Sequence, residues 1–465
     1  MKLLKNISYT FSSNILNVLV SILVILVIPK FIGVYEYGLW QLFIFYFGYV
    51  GVLHLGWADG LFLRRGGQKV EDINIGSIMA ETILFISYNI ILGLSIYIYG
   101  LCFSTGDSFI IETLGIAVIV ANIRTWITMI LQSVGDFKGY AVNLSVQSIV
   151  YLALIIVILL LGLADYRFMI IAFLISQFGT CISGFLQLKE IFDFNEPYDF
   201  KDAFKEAKLN INSGFKLMIA NFTAILIVGV IRFGIQQRWS VSTFGKVSLV
   251  LSIANLIMVF INAVSLVLFP TLRRTNQNIT ELYEGTRNVL MPMLYVIMFA
   301  YFPIKLLIPM WLPKYSDALQ YAAVLMPMMV YQGKFEILSN TFMKNLRMEF
   351  KLLIINVITL LASIFLTILT VYIFHDLNSA VFSIAIVMGM RSVVSELIIS
   401  RRIKITFWKE LIFENLFIIA FMIVSWNYSL IMSVLGYLIV VLIYLVIKKD
   451  SIKLGITVLK KLSNF

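Results

Sequence analysis

Residues 151–163 read Tyr-Leu-Ala-Leu-Ile-Ile-Val-Ile-Leu-Leu-Leu-Gly-Leu, a run that contains no charged side chain. Residues 14–28 form a similar run, Asn-Ile-Leu-Asn-Val-Leu-Val-Ser-Ile-Leu-Val-Ile-Leu-Val-Ile. A helix needs roughly 20 apolar residues to cross a bilayer, whereas membrane β-strands are shorter and alternate apolar with polar residues. Long continuous runs therefore predict a fold of membrane-spanning helices.

The composition agrees with this interpretation. Of the 465 residues, 60% are hydrophobic and 13% are charged, whereas a soluble chain has about 45–50% apolar and about 25% charged residues. Hydropathy and helix breakers predict an all-α polytopic membrane protein of about 14 transmembrane helices. The net charge of +11 comes from basic residues scattered between apolar runs, which suits membrane flanks and not nucleic acid.

The distribution of Lys and Arg predicts the orientation. If the N-terminus is inside, the inside loops hold 25 of these residues and the outside loops hold 5. Basic residues concentrate in cytoplasmic loops, so both termini are predicted to be cytoplasmic. The chain has no phosphate-loop motif and only two histidines, so we expect no nucleotide site of that kind and no metal site.

The two halves of the sequence share a short pattern. Tyr37-Gly38 opens the second predicted span and Arg64-Arg65 closes it, while Phe244-Gly245 and Arg273-Arg274 do the same for the eighth span. The separations are 207 residues at the glycine and 209 at the arginines. This pattern predicts two parallel repeats related by an axis along the membrane normal, although apolar helices also align by chance.

The repeat predicts a division of the chain into four parts. These are an N-terminal lobe of six spans at 1–190, a cytoplasmic linker at 191–213, a C-terminal lobe of six spans at 214–402, and two further spans with a basic cytoplasmic tail at 403–465. The linker is too short to form a catalytic domain, which argues against an enzyme.

Ionisable groups inside spans are the candidate functional residues, because they are costly in lipid and tend to face an interior cavity. Arg124 and Arg391 lie roughly 15 Å from the inner ends of their spans, too deep for easy snorkelling. Lys334 is somewhat shallower. Lys216 and Arg232 lie nearer the span ends, where snorkelling to the interface is the alternative.

Carboxylates in or beside the spans are fewer. Glu81 has two open roles, as a structural partner of Arg124 if their helices are neighbours, or as a proton carrier. Glu396 and Asp59 are further candidate charge partners or coupling residues. Cations at several depths suit an anionic headgroup that crosses the membrane, since guanidinium groups bind phosphate with two parallel hydrogen bonds. A drug-cation exporter is instead expected to use carboxylates.

Residues 28–40, Ile-Pro-Lys-Phe-Ile-Gly-Val-Tyr-Glu-Tyr-Gly-Leu-Trp, resemble the first-loop signature of the bacterial polysaccharide-export flippases. Asp59-Gly60-Leu61 and Arg64-Arg65 also fit the pattern of that family. The resemblance implies a fold like that of the multidrug and toxic-compound extruders, with two six-helix lobes in a pseudo-twofold arrangement around a central cavity. It also implies an inner-membrane protein that moves undecaprenyl-diphosphate-linked O-antigen, capsule or related sugar units to the outer face.

The resemblance further implies that cavity cations contact the diphosphate. On this chain the residues are Arg124 and Arg391, with Lys334, Arg232 and Lys216 as further candidates. It implies no cofactor, a proton or sodium ion as the coupling ion, and as partners membrane lipids, a polysaccharide polymerase and chain-length machinery. Two alternatives stay open, a cation-coupled exporter of small toxic compounds and, from a different class, a membrane polysaccharide polymerase or glycosyltransferase.

Overall fold

The computed structural model describes residues 2–67, 74–103, 107–189, 197–274 and 278–463, and every regular element in these ranges is helical. The contacts divide the chain into two compact units, residues 1–222 and 223–465. The boundary falls within a helix that begins at Phe200. Part of the predicted linker is therefore helical, while its residues 191–196 lie outside the described ranges.

The first unit contains seven complete helices and the beginning of an eighth. They are α1 (Lys2–Phe31), α2 (Val34–Phe47), α3 (Trp57–Arg65), α4 (Ile75–Phe103), α5 (Ser108–Ser133), α6 (Phe137–Leu160), α7 (Tyr166–Leu188) and the long α8 (Phe200–Arg238). Helix α5 packs on both α4 and α7, and α6 packs between α1 and α7.

The second predicted span is broken in the middle. A 3₁₀ turn, Val50–His54, follows α2, and the chain then bends by 59° before α3 begins. Leu55 and Gly56 both adopt left-handed backbone angles, with φ of 56° and 73°, so the helix cannot continue through them. As a result Arg64 and Arg65, which the sequence predicts in a loop, lie in the last turn of a helix.

The signature run that follows α1 has a structural role. A carboxylate oxygen of Glu36 accepts a hydrogen bond from the backbone N–H of Tyr166 at 3.1 Å. Tyr166 opens α7, so Glu36 satisfies one of the unpaired amides at that helix N-terminus. The neighbouring Tyr37 is buried and its hydroxyl accepts a hydrogen bond from Gln41. These contacts fix the beginning of α2 against the rest of the first unit.

Helices α3 and α8 approach each other through glycines. A methyl group at Gly214 of α8 would collide with the backbone of Gly56 and Gly60, and one at Gly60 would collide with the carbonyl of Asn210. Small residues let two membrane helices approach to backbone contact. The first turns of α8 are therefore packed on the first unit by shape as well as by charge.

The second unit contains the remainder of the chain. Its helices are the end of α8, then α9 (Val241–Arg274), α10 (Ile279–Ile297), α11 (Tyr301–Trp311), α12 (Leu319–Lys334), α13 (Thr341–Asn345), α14 (Glu349–Thr367), α15 (Leu377–Ile403), α16 (Trp408–Asn427), α17 (Leu430–Ile447) and α18 (Lys449–Ser463). The side chains of 262–274, which include the predicted Arg273-Arg274 pair, lie outside the described part.

Helix α12 forms the centre of the second unit. Thirteen of the fourteen residues from Tyr321 to Lys334 are buried, and the helix contacts α9, α10, α15 and α16. A helix that is apolar all round has to be enclosed by others. A π-helical segment, Phe335–Asn340, continues α12 into α13, and a 3₁₀ segment, Met298–Ala300, separates α10 from α11 just before Pro303, which cannot donate a helical hydrogen bond.

Among the described residues, eleven helices are long and apolar enough to cross a membrane, and the bent α2–α3 pair makes twelve. The other two predicted spans lie in α9, whose apolar part is described for Val241–Leu256, and in α12 with the segments after it. The described residues thus confirm an all-α polytopic membrane protein, while the count of fourteen spans stays a prediction.

Replacement of Gly214 by alanine tests the packing of α8 on α3. The added methyl group has no space against the backbone of Gly56 and Gly60, and overpacking of this kind costs about 1–3 kcal/mol. We expect a lower midpoint of thermal unfolding for the purified protein in detergent. Gly179→Ala in α7 is the matched control, since a methyl group there would have no other atom within 4 Å; equal midpoints for the two variants would contradict the close approach.

Candidate functional site

Four charged side chains form a closed ring inside the second unit. Arg287 of α10 donates from Nε to Glu396 of α15 at 2.6 Å and lies 2.7 Å through Nη2 from Glu414 of α16. Lys334 of α12 bonds through Nζ to the second oxygen of Glu396 and, at 2.7 Å, to the second oxygen of Glu414. Each cation therefore contacts both carboxylates, and the ring as a whole is neutral.

The four side chains of this ring are buried, and their ion pairs stabilise the second unit. The side chains are between 0% and 5% exposed, and the Arg287 guanidinium also lies 4.8 Å from the centre of the Phe407 ring. Removal of one partner from a buried ion pair leaves an uncompensated charge, which is strongly destabilising. The ring thus couples α10, α12, α15 and α16, and it uses Lys334 and Glu396 for internal charge balance.

A second cluster of charged side chains, within the first unit, joins the beginning of α8 to α3 and α4. Arg64 donates to Glu206 at 2.9 Å and to Asn210 at 2.7 Å, and Arg65 lies 3.3 Å from Glu206. Glu81, which is fully buried, accepts hydrogen bonds from Trp57 and Asn210 and lies 3.6 Å from Arg65. Of the two roles left open for Glu81, that of a structural charge partner is filled among the described residues by Arg65 of α3 and not by Arg124.

Arg124 lies in α5 and is only partly buried. One terminal nitrogen, Nη1, donates to the side-chain oxygen of Gln147 in α6 at 2.6 Å. The Nε atom is buried without a hydrogen-bond partner, and no described carboxylate lies within ion-pair distance. Its neighbour Gln147 is uncharged, so the charge of Arg124 is hydrogen-bonded but not neutralised.

Other polar atoms without partners lie on the helices around Arg124. Asn143 and Tyr151 are one turn to either side of Gln147 on α6, and Gln177 is on α7. The Asn143 amide nitrogen, the Tyr151 hydroxyl and the Gln177 carbonyl oxygen are all buried without a described partner. Buried polar atoms are nearly always satisfied by protein or by ordered water. Helices α6 and α7 therefore carry buried polar atoms whose hydrogen-bonding capacity the described residues do not use, and α5 beside them carries the charge of Arg124.

Arg391 is held differently. It is 4% exposed, donates from Nε and Nη2 to the side-chain oxygen of Asn356 in α14, and stacks 3.7 Å from the centre of the Phe335 ring. These contacts cover the guanidinium within the second unit. Arg391, like Arg124, is paired with a neutral amide, but contact with a ligand would require α14 or the segment after α12 to move.

The remaining predicted residues lie apart from these clusters. Arg232 in α8 donates to Ser248 and lies over the Phe244 ring, while Lys216 is exposed on the same helix. Asp59 is partly buried in the first turn of α3. Within the second unit, the structure thus brings together two predicted residues, Lys334 and Glu396.

Sequence reasoning overlooks Arg287 and Glu414. Arg287 falls in a predicted inside loop because the residues before it are polar, yet α10 already begins at Ile279. Glu414 lies within a predicted span, and its isolation in an apolar stretch is the signal that it needs a partner.

Together the described helices form an all-α polytopic membrane fold. The chain is similar to the lipid II flippase MurJ in an inward closed conformation, with a TM-score of 0.63 and 16% identity over 96% of this chain and 99% of that one. It is also similar to an inward-facing multidrug resistance MATE family transporter of the MOP superfamily, with a TM-score of 0.58 and 15% identity over 84% of this chain and 98% of that one. No family model and no curated protein sequence matches the chain. These likenesses confirm the predicted MATE-like fold.

Removal of one cation tests the charge ring. Lys334→Met leaves two buried carboxylates facing one arginine, and we expect it to cost about 3–5 kcal/mol. The double variant Lys334→Met with Glu414→Gln restores neutrality, so its loss of unfolding free energy should be smaller than the sum of the two single losses. Unfolding in a mixed-micelle denaturant titration measures all three.

The exposed pair Lys246–Asp317, at 2.6 Å, provides the control. Removal of that pair by Lys246→Met with Asp317→Asn should change stability by no more than about 1 kcal/mol. Additive losses in the ring variants would show that the four charges do not act as a unit.

Proposed function

We propose that this chain is a flippase that moves a lipid-diphosphate-linked oligosaccharide, such as an O-antigen, capsule or related repeat unit, from the cytoplasmic to the outer face of a bacterial inner membrane. Its fold is one that a lipid II flippase also has. The residues of the first loop resemble the polysaccharide-export flippases. The proposed substrate consists of an undecaprenyl diphosphate anchor and the sugar unit attached to it.

The observation that carries the proposal is the state of Arg124. A permanently charged guanidinium lies in the middle of a membrane helix with no described carboxylate in ion-pair distance and with its Nε unpartnered. A charge in a span is expensive unless it is compensated. A diphosphate supplies the missing compensation, because its oxygens accept the parallel hydrogen bonds that a guanidinium donates.

The ion pairs of the buried carboxylates disfavour an exporter of cationic compounds. The fold is shared with a multidrug transporter, and such a function needs carboxylates that a cationic substrate can reach. Glu81, Glu396 and Glu414 are all within ion-pair distance of a cation and nearly or fully buried. These three carboxylates balance internal charges, whereas Arg124 and Arg391 have no ion-pair partner among the described residues.

For the coupling ion, a proton or Na⁺, we propose Asp59 as the responsive carboxylate. It is partly buried beside the bend between α2 and α3, and it makes no ion pair with a described residue. Glu81 and Glu396 are fixed by their partners. Asp59 is therefore the candidate whose charge can change without breaking a buried ion pair.

Replacement of Arg124 by glutamine tests the proposed function. Glutamine removes the charge but keeps a hydrogen-bonding amide toward Gln147, so we expect a folded protein in normal amount with surface polysaccharide reduced at least about tenfold, the loss of one charged contact. The lipid-linked oligosaccharide should accumulate in the cytoplasmic leaflet. Arg124→Lys should retain part of the activity, because it keeps the charge and loses the planar geometry.

Arg238→Gln, which removes an exposed charge at the end of α8, is the matched control and should leave export unchanged. Normal polysaccharide in cells that carry Arg124→Gln would exclude Arg124 from substrate recognition.

Asp59→Asn tests the coupling proposal in proteoliposomes with a fluorescent lipid diphosphate. An imposed proton or sodium gradient should stimulate flipping by the unchanged protein. The variant should still equilibrate the lipid but lose that stimulation, whereas the exposed Asp450→Asn control should keep it. Full stimulation of the Asp59 variant would assign coupling to another group.

A further inference from the structure

A groove in the second unit combines basic and apolar side chains. It has a volume of about 350 Å³ and is lined by Lys351 and Ile354 of α14 and by Ile398, Arg401 and Arg402 of α15. The groove lies where α14 begins and α15 ends, which is the end of both spans that the distribution of Lys and Arg predicts to face the cytoplasm. None of the five lining residues belongs to the charge ring.

Helix geometry explains why these five residues converge. Lys351 and Ile354 are three residues apart, and Ile398 is three and four residues before Arg401 and Arg402, so each set occupies one face of its helix. The two helices pack against each other. Helix α14 begins at Glu349 without a side-chain cap, so its first amides add partial positive charge at the same end.

We propose that this groove binds the phosphate headgroup of an anionic phospholipid of the surrounding bilayer. The three cations are exposed, and no described residue forms an ion pair with any of them. Glu349 is the acidic residue in the adjoining turn of α14, and it too is exposed. The local net charge is therefore positive, as in the basic pockets between membrane helices that bind anionic headgroups.

The two isoleucines indicate a lipid and not a free anion. Ile354 is 39% exposed and lies one turn further into the span than Lys351. Ile398 is one turn further into the span than Arg401 and Arg402. Cations at the interface with apolar side chains directly below them match a molecule whose phosphate lies at the surface and whose acyl chains enter the bilayer.

The proposal is independent of the flippase function and is tested on the purified full-length protein. Native mass spectrometry from micelles titrated with phosphatidylglycerol measures lipid binding, with phosphatidylcholine as the neutral comparison. Each cation near an anionic lipid surface contributes about 1 kcal/mol, so the triple variant Lys351→Gln, Arg401→Gln, Arg402→Gln should bind phosphatidylglycerol about a hundredfold more weakly. Phosphatidylcholine binding should not change.

The matched control removes three neighbouring cations that do not line the groove, as Lys344→Gln, Arg347→Gln and Lys404→Gln. All three are exposed at the same end of the unit, so the change in net charge is identical. Retention of phosphatidylglycerol binding by this control supports the groove.

Equal losses in the two triple variants would show a diffuse charge effect and overturn the proposal, as would unchanged binding in the groove variant. Inorganic phosphate that displaces the lipid at equal concentration would identify a free-anion site. Displacement by undecaprenyl diphosphate at far lower concentration than by phosphatidylglycerol would assign the groove to the substrate lipid. Either result would exclude the phospholipid assignment.

Discussion

A charged side chain inside the hydrocarbon region has to find its compensation within the protein, because lipid offers none. This constraint accounts for the buried ion pairs of the described residues. In the second unit it produces a ring of two cations and two carboxylates from four helices. In the first unit it produces the cluster of Arg64, Arg65 and Glu206 with the buried Glu81 beside it. Both clusters join helices that the apolar packing alone would hold less specifically.

The two clusters share a spacing that matches the repeat predicted from the sequence. Glu206 lies in α8, the helix that follows the first six predicted spans, and Glu414 lies in α16, the helix that follows the second six. They are 208 residues apart, between the separations of 207 and 209 found for the glycine and arginine pairs. Each glutamate bonds to basic residues within its own unit. Helices α8 and α16 are thus each attached to basic residues of their own unit through a glutamate near the beginning of the helix.

The helical membrane fold could be predicted from the sequence because apolar runs of sufficient length have few other structures available. The bend between α2 and α3 could not, since it depends on Leu55, a residue that rarely adopts a left-handed backbone. The ion-pair partners of the buried charges could not be predicted from the sequence either. Arg287 and Glu396 are 109 residues apart in the sequence, and nothing local to either residue specifies the other. Depth in a span identified Arg124, Arg391 and Lys334 as unusual, but only the three-dimensional contacts separate the neutralised lysine from the two arginines.

The difference between the ion-paired Lys334 and the two arginines decides which of these cations is proposed to bind the substrate. Lys334 is balanced by two carboxylates, so a phosphate there would compete with Glu396 and Glu414 and disrupt four helices. Arg391 has only the neutral Asn356 as a described hydrogen-bond partner, but it is covered by Phe335 and 4% exposed. Arg124 combines an uncompensated charge, an unpartnered Nε and partial exposure with nearby polar atoms on α6 and α7 that lack described partners. A diphosphate at Arg124 would break no ion pair of the described residues, and for this reason the proposed function depends on Arg124.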